Sequence, residues 1–157
     1  MAAKDKSRKS KGKSGKDKKN KRGKKGKPSA AKKADRHALY QKAVQEPSCD
    51  IGIIERFFEK HRGRSPRSVK EDFCGTALFC AEWVESNPER IAVGVDLDQP
   101  TLDWGEEHNL SVLEPSDRSR ITIHCDDVRK VTGPPVDVVC ALNYSYCVFK
   151  RRADLVA

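Results

Sequence analysis

The chain has 157 residues, 36% of them hydrophobic and 35% charged, with a formal net charge of +9; that length suits one domain. No apolar run approaches the roughly 18 residues a membrane-spanning helix needs, and the N-terminus lacks the apolar segment of a signal peptide. A soluble, cytoplasmic protein with no membrane partner is therefore expected.

Residues 1–33 hold sixteen Lys and Arg against two Asp, or +14, and the other 124 residues hold sixteen against twenty-one, or −5. The basic excess thus describes a tail. With almost no apolar side chains, residues 1–33 cannot bury enough surface to offset the entropy of ordering, so a disordered Lys-rich tail is expected. Such an arm can neutralise phosphates, giving sequence-blind affinity for nucleic acid. It lacks the interleaved aromatics that stack on bases, and a solubilising extension or a localisation signal reads equally well.

Residues 34–67 read as N-terminal helices. The first begins around Ala34, with Leu39, Tyr40, Ala43 and Val44 on one face, and closes before Pro47. The second runs over 51–61 and carries Ile53, Ile54, Phe57 and Phe58 at helical spacing, which predicts core packing. Gly63 and Pro66 end it.

From residue 68 onward strands and helices alternate. Strands are expected at 68–73, 90–96, 120–125 and 136–142, and helices at 76–86 and 100–109, with another starting near Phe149. Asp98 before Pro100 reads as an N-cap. This order predicts an α/β fold with a Rossmann-like sheet of four parallel strands. Residues 136–142 are apolar on both faces, as a central strand would be. Four strands make half of a nucleotide-binding sheet, so residues 68–157 read as an incomplete domain of a C-terminally truncated chain. Trp83 and Trp104 are expected to pack at helix interfaces.

The chemistry-bearing stretch is Glu71-Asp72-Phe73-Cys74-Gly75-Thr76-Ala77, which leads from the first strand into a helix. About twenty residues on, Ile91-Ala92-Val93-Gly94-Val95 ends in Asp96. Strand, glycine turn, helix, strand and acid is the layout of a nucleoside-binding βαβ unit, where the second acid accepts from ribose hydroxyls. A dinucleotide site needs G-x-G-x-x-G around a diphosphate. Here Phe73 and Ala77 stand at two glycine positions, and the carboxylates would repel a diphosphate. A ligand carrying an ammonium and a sulfonium would be attracted.

The stretch resembles a variant first motif, E-D-F-C-G-T-A, of class I S-adenosylmethionine-dependent methyltransferases, and the resemblance extends over roughly residues 36–157. It implies S-adenosylmethionine as cofactor and methyl transfer to an unidentified acceptor, with little activity if the chain is a fragment. Glu71 would then help hold the methionine end, with Gly75 as the central glycine of the cofactor-binding turn and Cys74 beside it. Asp96 would take the ribose hydroxyls, and Leu97 would meet the adenine. In the match at Ile121-Thr122-Ile123-His124-Cys125-Asp126-Asp127-Val128, Asp127 would accept from the adenine amino group beside Val128, with Asp126 competing for that role. Asn143, with Tyr144 after it, would lie beside the transferring methyl. Asn143-Tyr144-Ser145-Tyr146 loosely resembles an Asn-Pro-Pro-Tyr loop, but both prolines are missing. No catalytic base can be named.

Six cysteines show no C-x-x-C spacing and read as reduced thiols. Four scattered histidines show no metal spacing, so no metal is expected. The competing reading from another class is a nucleic-acid-associated module whose degenerate cofactor domain supports the basic arm. An NAD-dependent oxidoreductase is weaker still, given Phe73, Ala77 and the carboxylates.

Overall fold

A computed structural model describes residues 34–156. Asp35 caps the first helix, α1 (Arg36–Val44), by accepting from the amides of His37 and Ala38 at 2.9 and 3.2 Å. Pro47 opens α2 (Pro47–Arg62), and Gly63 closes it in the left-handed conformation at φ 68°. Four parallel strands follow: β1 (Ser68–Asp72), β2 (Ile91–Asp96), β3 (Ile121–Cys125) and β4 (Val138–Cys140). Their spatial order is β3-β2-β1-β4, in register Val69↔Ala92, Val69↔Val138 and Ala92↔Ile121. This is the Rossmann-like sheet of four parallel strands that the sequence predicts.

One face of the sheet carries the core. Helix α3 (Leu78–Glu85) is apolar around most of its circumference, and Phe79, Cys80, Ala81, Trp83 and Val84 are all buried. They pack with Val69, Ala92, Ile121 and, from the flanking helices, Ile51, Leu102 and Leu110. Arg90, also buried, lies over the Trp83 ring at 4.1 Å and pairs with Glu55. Arg120 gathers the carbonyls of Val84, Asn87 and Arg90. The opposite face, bearing Lys70, Val93, Thr122, His124 and Val139, is half-buried to exposed.

Helix α4 (Gln99–Gly105) starts with Asp98 at its N-cap position. The Asp98 carboxylate takes the Thr101 hydroxyl at 2.5 Å rather than a helix amide. The helix widens into a π-helical segment, Glu106–Leu110, before the short α5 (Pro115–Arg118). After β4 come a 3₁₀ turn, Ser145–Val148, and the short α6 (Arg152–Leu155), where one helix from Phe149 was expected. Among the described residues no helix is long and apolar enough to cross a membrane.

Helix α1 buries none of its residues. Two expectations are corrected. Of the α2 stripe Ile54 packs against the core, but Phe57 and Ile53 are exposed, since α2 turns Ile51 into the core instead. The fourth strand is three residues long and lies at the sheet edge, with Val139 60% exposed. The expectation of a disordered tail falls on residues outside those described.

Candidate cofactor site

The strand order reverses between β1 and β4, and in open parallel sheets ligands bind at the carboxyl ends of the strands beside such a reversal. The turn after β1 lies there. Alternation along β1 puts Val69 and Glu71 on the helix-covered face, with Glu71 3% exposed, and puts Lys70 and Asp72 on the other. The two acids of the motif are therefore separated. Asp72 is paired with Lys70 at 2.5 Å. Burial pushes Glu71 up to about 8, with Asp96 and Asp50 adding to the rise and the Cys80 thiol, which donates to it at 3.2 Å, opposing it. The expectation of two anions facing a ligand is corrected: one is neutralised by Lys70, and the other is held uncharged near neutral pH.

Phe73, Gly75 and Ala77 adopt φ of 63°, 55° and 56°. Phe73 and Ala77, which stand at two positions where a dinucleotide motif has glycine, thus take the left-handed conformation that glycine makes easy. Three of the turn's amides are spent inside the protein. Cys74 N–H donates to the Val95 carbonyl at 3.0 Å, Ala77 N–H to the Cys74 carbonyl at 2.9 Å, and Gly75 N–H to Asp96 Oδ2 at 2.8 Å. The other Asp96 oxygen accepts from Asp98 N–H at 2.9 Å. Cys74 borders the cleft but its thiol faces inward, because a Cβ at Gly94 would lie 2.9 Å from that sulfur.

Two clefts flank Phe73. The larger, about 660 Å³, is lined by Asp96, Leu97, Asp127, Val128 and the Val148–Arg151 segment. Leu97 is exposed. The Arg129 guanidinium beside Asp127 chelates it and holds its carboxyl well below the usual range. Asp126, the competitor, accepts from the Asp127 amide. The smaller cleft, about 330 Å³, is lined by Glu71, Cys74, Gly75 and Asn143. Glu71, Cys74, Gly75, Asp96, Leu97, Asp127, Val128 and Asn143 thus border this pair of clefts, whereas Asp126 and Tyr144 line neither.

Other lining residues were not anticipated. Arg36, His37, Tyr40 and Gln45 reach the smaller cleft from the N-terminal helical segment. Helix α1 is held there by Gln41 donating to the Thr76 hydroxyl at 2.8 Å and by Trp104 Nε1 donating to Asp35 at 2.8 Å. The His37 ring packs on Trp104 at 5.2 Å. Gln45 Oε1 is buried, and no donor of the described residues reaches it. Gly105 and Asn109 support the turn from behind, Asn109 donating to the Thr76 carbonyl at 2.7 Å. A helix-capping glycine and a cleft-lining glutamine carry no pattern that a single sequence exposes. Among the described residues no group of three or more His, Cys, Asp or Glu converges as a metal site needs.

No family profile matches the chain, and no curated protein matches it. Solved structures do. The sugar N-methyltransferase KedS8 from Streptoalloteichus sp ATCC 53650 is 23% identical at a TM-score of 0.59, over 78% of this chain and 45% of that one. CalS10, an amino pentose methyltransferase from Micromonospora echinaspora solved with S-adenosylmethionine bound, is 16% identical at 0.58, over 76% and 46%. The plantazolicin methyltransferase BpumL, solved with S-adenosylhomocysteine, is 13% identical at 0.58, over 76% and 44%. The chain has the Rossmann-like fold of these methyltransferases and spans less than half the length of each.

Proposed function

We propose that the chain is the cofactor-binding part of an S-adenosylmethionine-dependent methyltransferase of the E-D-F-C-G-T-A branch. The observation that carries this reading is the accounting of the turn's amides. Cys74, Gly75 and Ala77 N–H already donate within the protein, Gly75 to the Asp96 carboxylate, which disfavours the diphosphate that a dinucleotide would place on this turn. A nucleoside without phosphates places none there. The solved methyltransferases of the same fold support the choice.

When bound, the cofactor supplies an electrophilic methyl carbon on a sulfonium, so the chain's task is to orient it and exclude water. Asp96 spends one lone pair of each oxygen on a backbone amide and keeps the others to accept the ribose hydroxyls. Leu97 and Val128 offer apolar surface to the adenine, and Asp127 accepts from its amino group. Glu71, Gly75 and Asn143 stand at the amino-acid end, with Cys74 shaping the turn beside them. The division into a tail (1–33), helices (34–67) and cofactor domain (68–157) belongs to the same proposal, as does a cytoplasmic location.

Calorimetric titration with S-adenosylmethionine and with NAD tests this. Binding of the former alone is expected; binding of NAD, or of neither, overturns it. The basic residues 1–33 support a second role in non-specific polyanion binding, whose affinity should fall steeply with salt.

A further inference from the structure

The smaller cleft holds an unusual set of polar groups. Gln45 Oε1 is buried without a donor from the described residues, and Glu71 lies in the same cleft. Both are acceptors. Among its lining residues Arg36 is the one permanent cation, and its nearest anion, Asp98, stands 3.8 Å away on the same wall. An unpaired buried acceptor is rare in a native structure and costly to leave unmade, so a ligand bearing N–H donors is the natural complement.

The placement of these groups is specific. Helix α1 buries none of its residues, so burial does not explain why it lies on the turn. It is fastened by hydrogen bonds to Thr76 and Trp104, and the chain leaving it presents Gln45 to the cleft. An acceptor and a cation match a zwitterion with an ammonium at one end and a carboxylate at the other.

We propose that Gln45 and Arg36 read the amino-acid end of the sulfonium nucleoside, Gln45 Oε1 accepting from its ammonium and Arg36 pairing with its carboxylate. This rests on the cofactor assignment above and extends it to residues outside the glycine turn. Gln45 and Arg36 would then set the preference for a nucleoside with an intact amino acid over one without.

Calorimetry on the full 157-residue chain tests this with two probes, S-adenosylhomocysteine and 5′-methylthioadenosine, which lacks the amino-acid end. The wild type should bind the first more tightly. Gln45→Leu should weaken S-adenosylhomocysteine at least fivefold and leave methylthioadenosine unchanged, which also shows that the variant is folded. Gln45→Glu, which keeps an acceptor, should retain the preference, and Arg36→Gln should lose part of it. Equal losses for both probes, or none, overturn the role of Gln45 and Arg36 while leaving the cofactor assignment standing. If the wild type binds neither probe, the cofactor assignment falls, and this proposal with it.

Discussion

The unit from β1 through β2 and the segment after β3 are built to different standards. In the first, Val69, Cys74, Phe79, Cys80, Trp83, Val84 and Val95 are each at most 1% exposed. In the second, residues 126–156, no residue is buried. Yet each contributes one wall of the clefts, Asp96 and Gly75 from the packed side and Asp127, Asn143 and Phe149 from the loose one. The contrast suits a site whose floor is fixed and whose outer wall can adapt, since regions with little buried surface open at low free-energy cost.

The largest expected effect lies on the packed side. A Cβ at Gly105 would come within 2.4 Å of the Thr76 carbonyl oxygen and 2.7 Å of its carbon, backbone atoms that cannot step aside. Gly105→Ala should force α4 off the turn, strain the Asn109–Thr76 bond and cost about 3 kcal/mol in urea unfolding. A loss under about 0.5 kcal/mol would show that the turn is as soft as the far wall.

Next comes the tether between the two regions. Asp137, just before β4, accepts from Arg64 at 2.6 and 3.1 Å and from the Arg67 amide at 2.7 Å, ahead of β1. The Arg64 guanidinium and the backbone amides hold its carboxyl down to about 2. Its folded value is depressed, so its contribution is present above the ordinary value of 3.8 and fades as pH falls through about 2. Asp137→Asn should cost about 1.5 kcal/mol at pH 7 and almost nothing near the acid limit. A cost independent of pH would break the tether argument.

Glu71 gives an effect of the opposite sign. Burial raises its folded value from 4.5 to about 8, so the folded chain binds the extra proton between those limits. Its stability is fully present below 4.5 and declines as pH rises toward about 8. Glu71→Gln should remove that decline, leaving the variant more stable than the wild type at pH 8 and similar to it at pH 4. Parallel pH profiles would mean that Glu71 is charged in the folded chain.

Legibility in the sequence follows the same division. Where burial is complete, the pattern of side chains has one interpretation: Ile91-Ala92-Val93-Gly94-Val95 before Asp96 reads as a strand carrying an acid, and so it folds. The Glu71-to-Ala77 turn was legible too, although its two acids were not separable until alternation put Asp72 with Lys70. Where burial is partial, apolar residues mislead. Phe57 and Val139 look like core and are exposed, because periodicity reports which residues share a face, not what covers that face. Gln45 was invisible for a different reason: a polar residue between helices gains meaning only from the cleft it reaches.

The smallest expected effect separates two valines of identical chemistry on neighbouring strands. Val69 on β1 is fully buried against α3, while Val139 on β4, paired in register with Lys70, is 60% exposed on the other face. Removing buried methyls from Val69 loses their transfer free energy and leaves a cavity, so Val69→Ala should cost about 2 kcal/mol. Val139→Ala removes methyls that water already reaches, and at β4 little surrounding structure can be left void. Its cost should stay within about 0.5 kcal/mol, the range of surface substitutions, with the urea slope unchanged. A cost at Val139 approaching that at Val69 would mean that the exposed face of the sheet is covered in solution, by a second copy or by another segment. Repeating the measurement across protein concentrations would tell those two apart, since only self-association makes the midpoint depend on concentration.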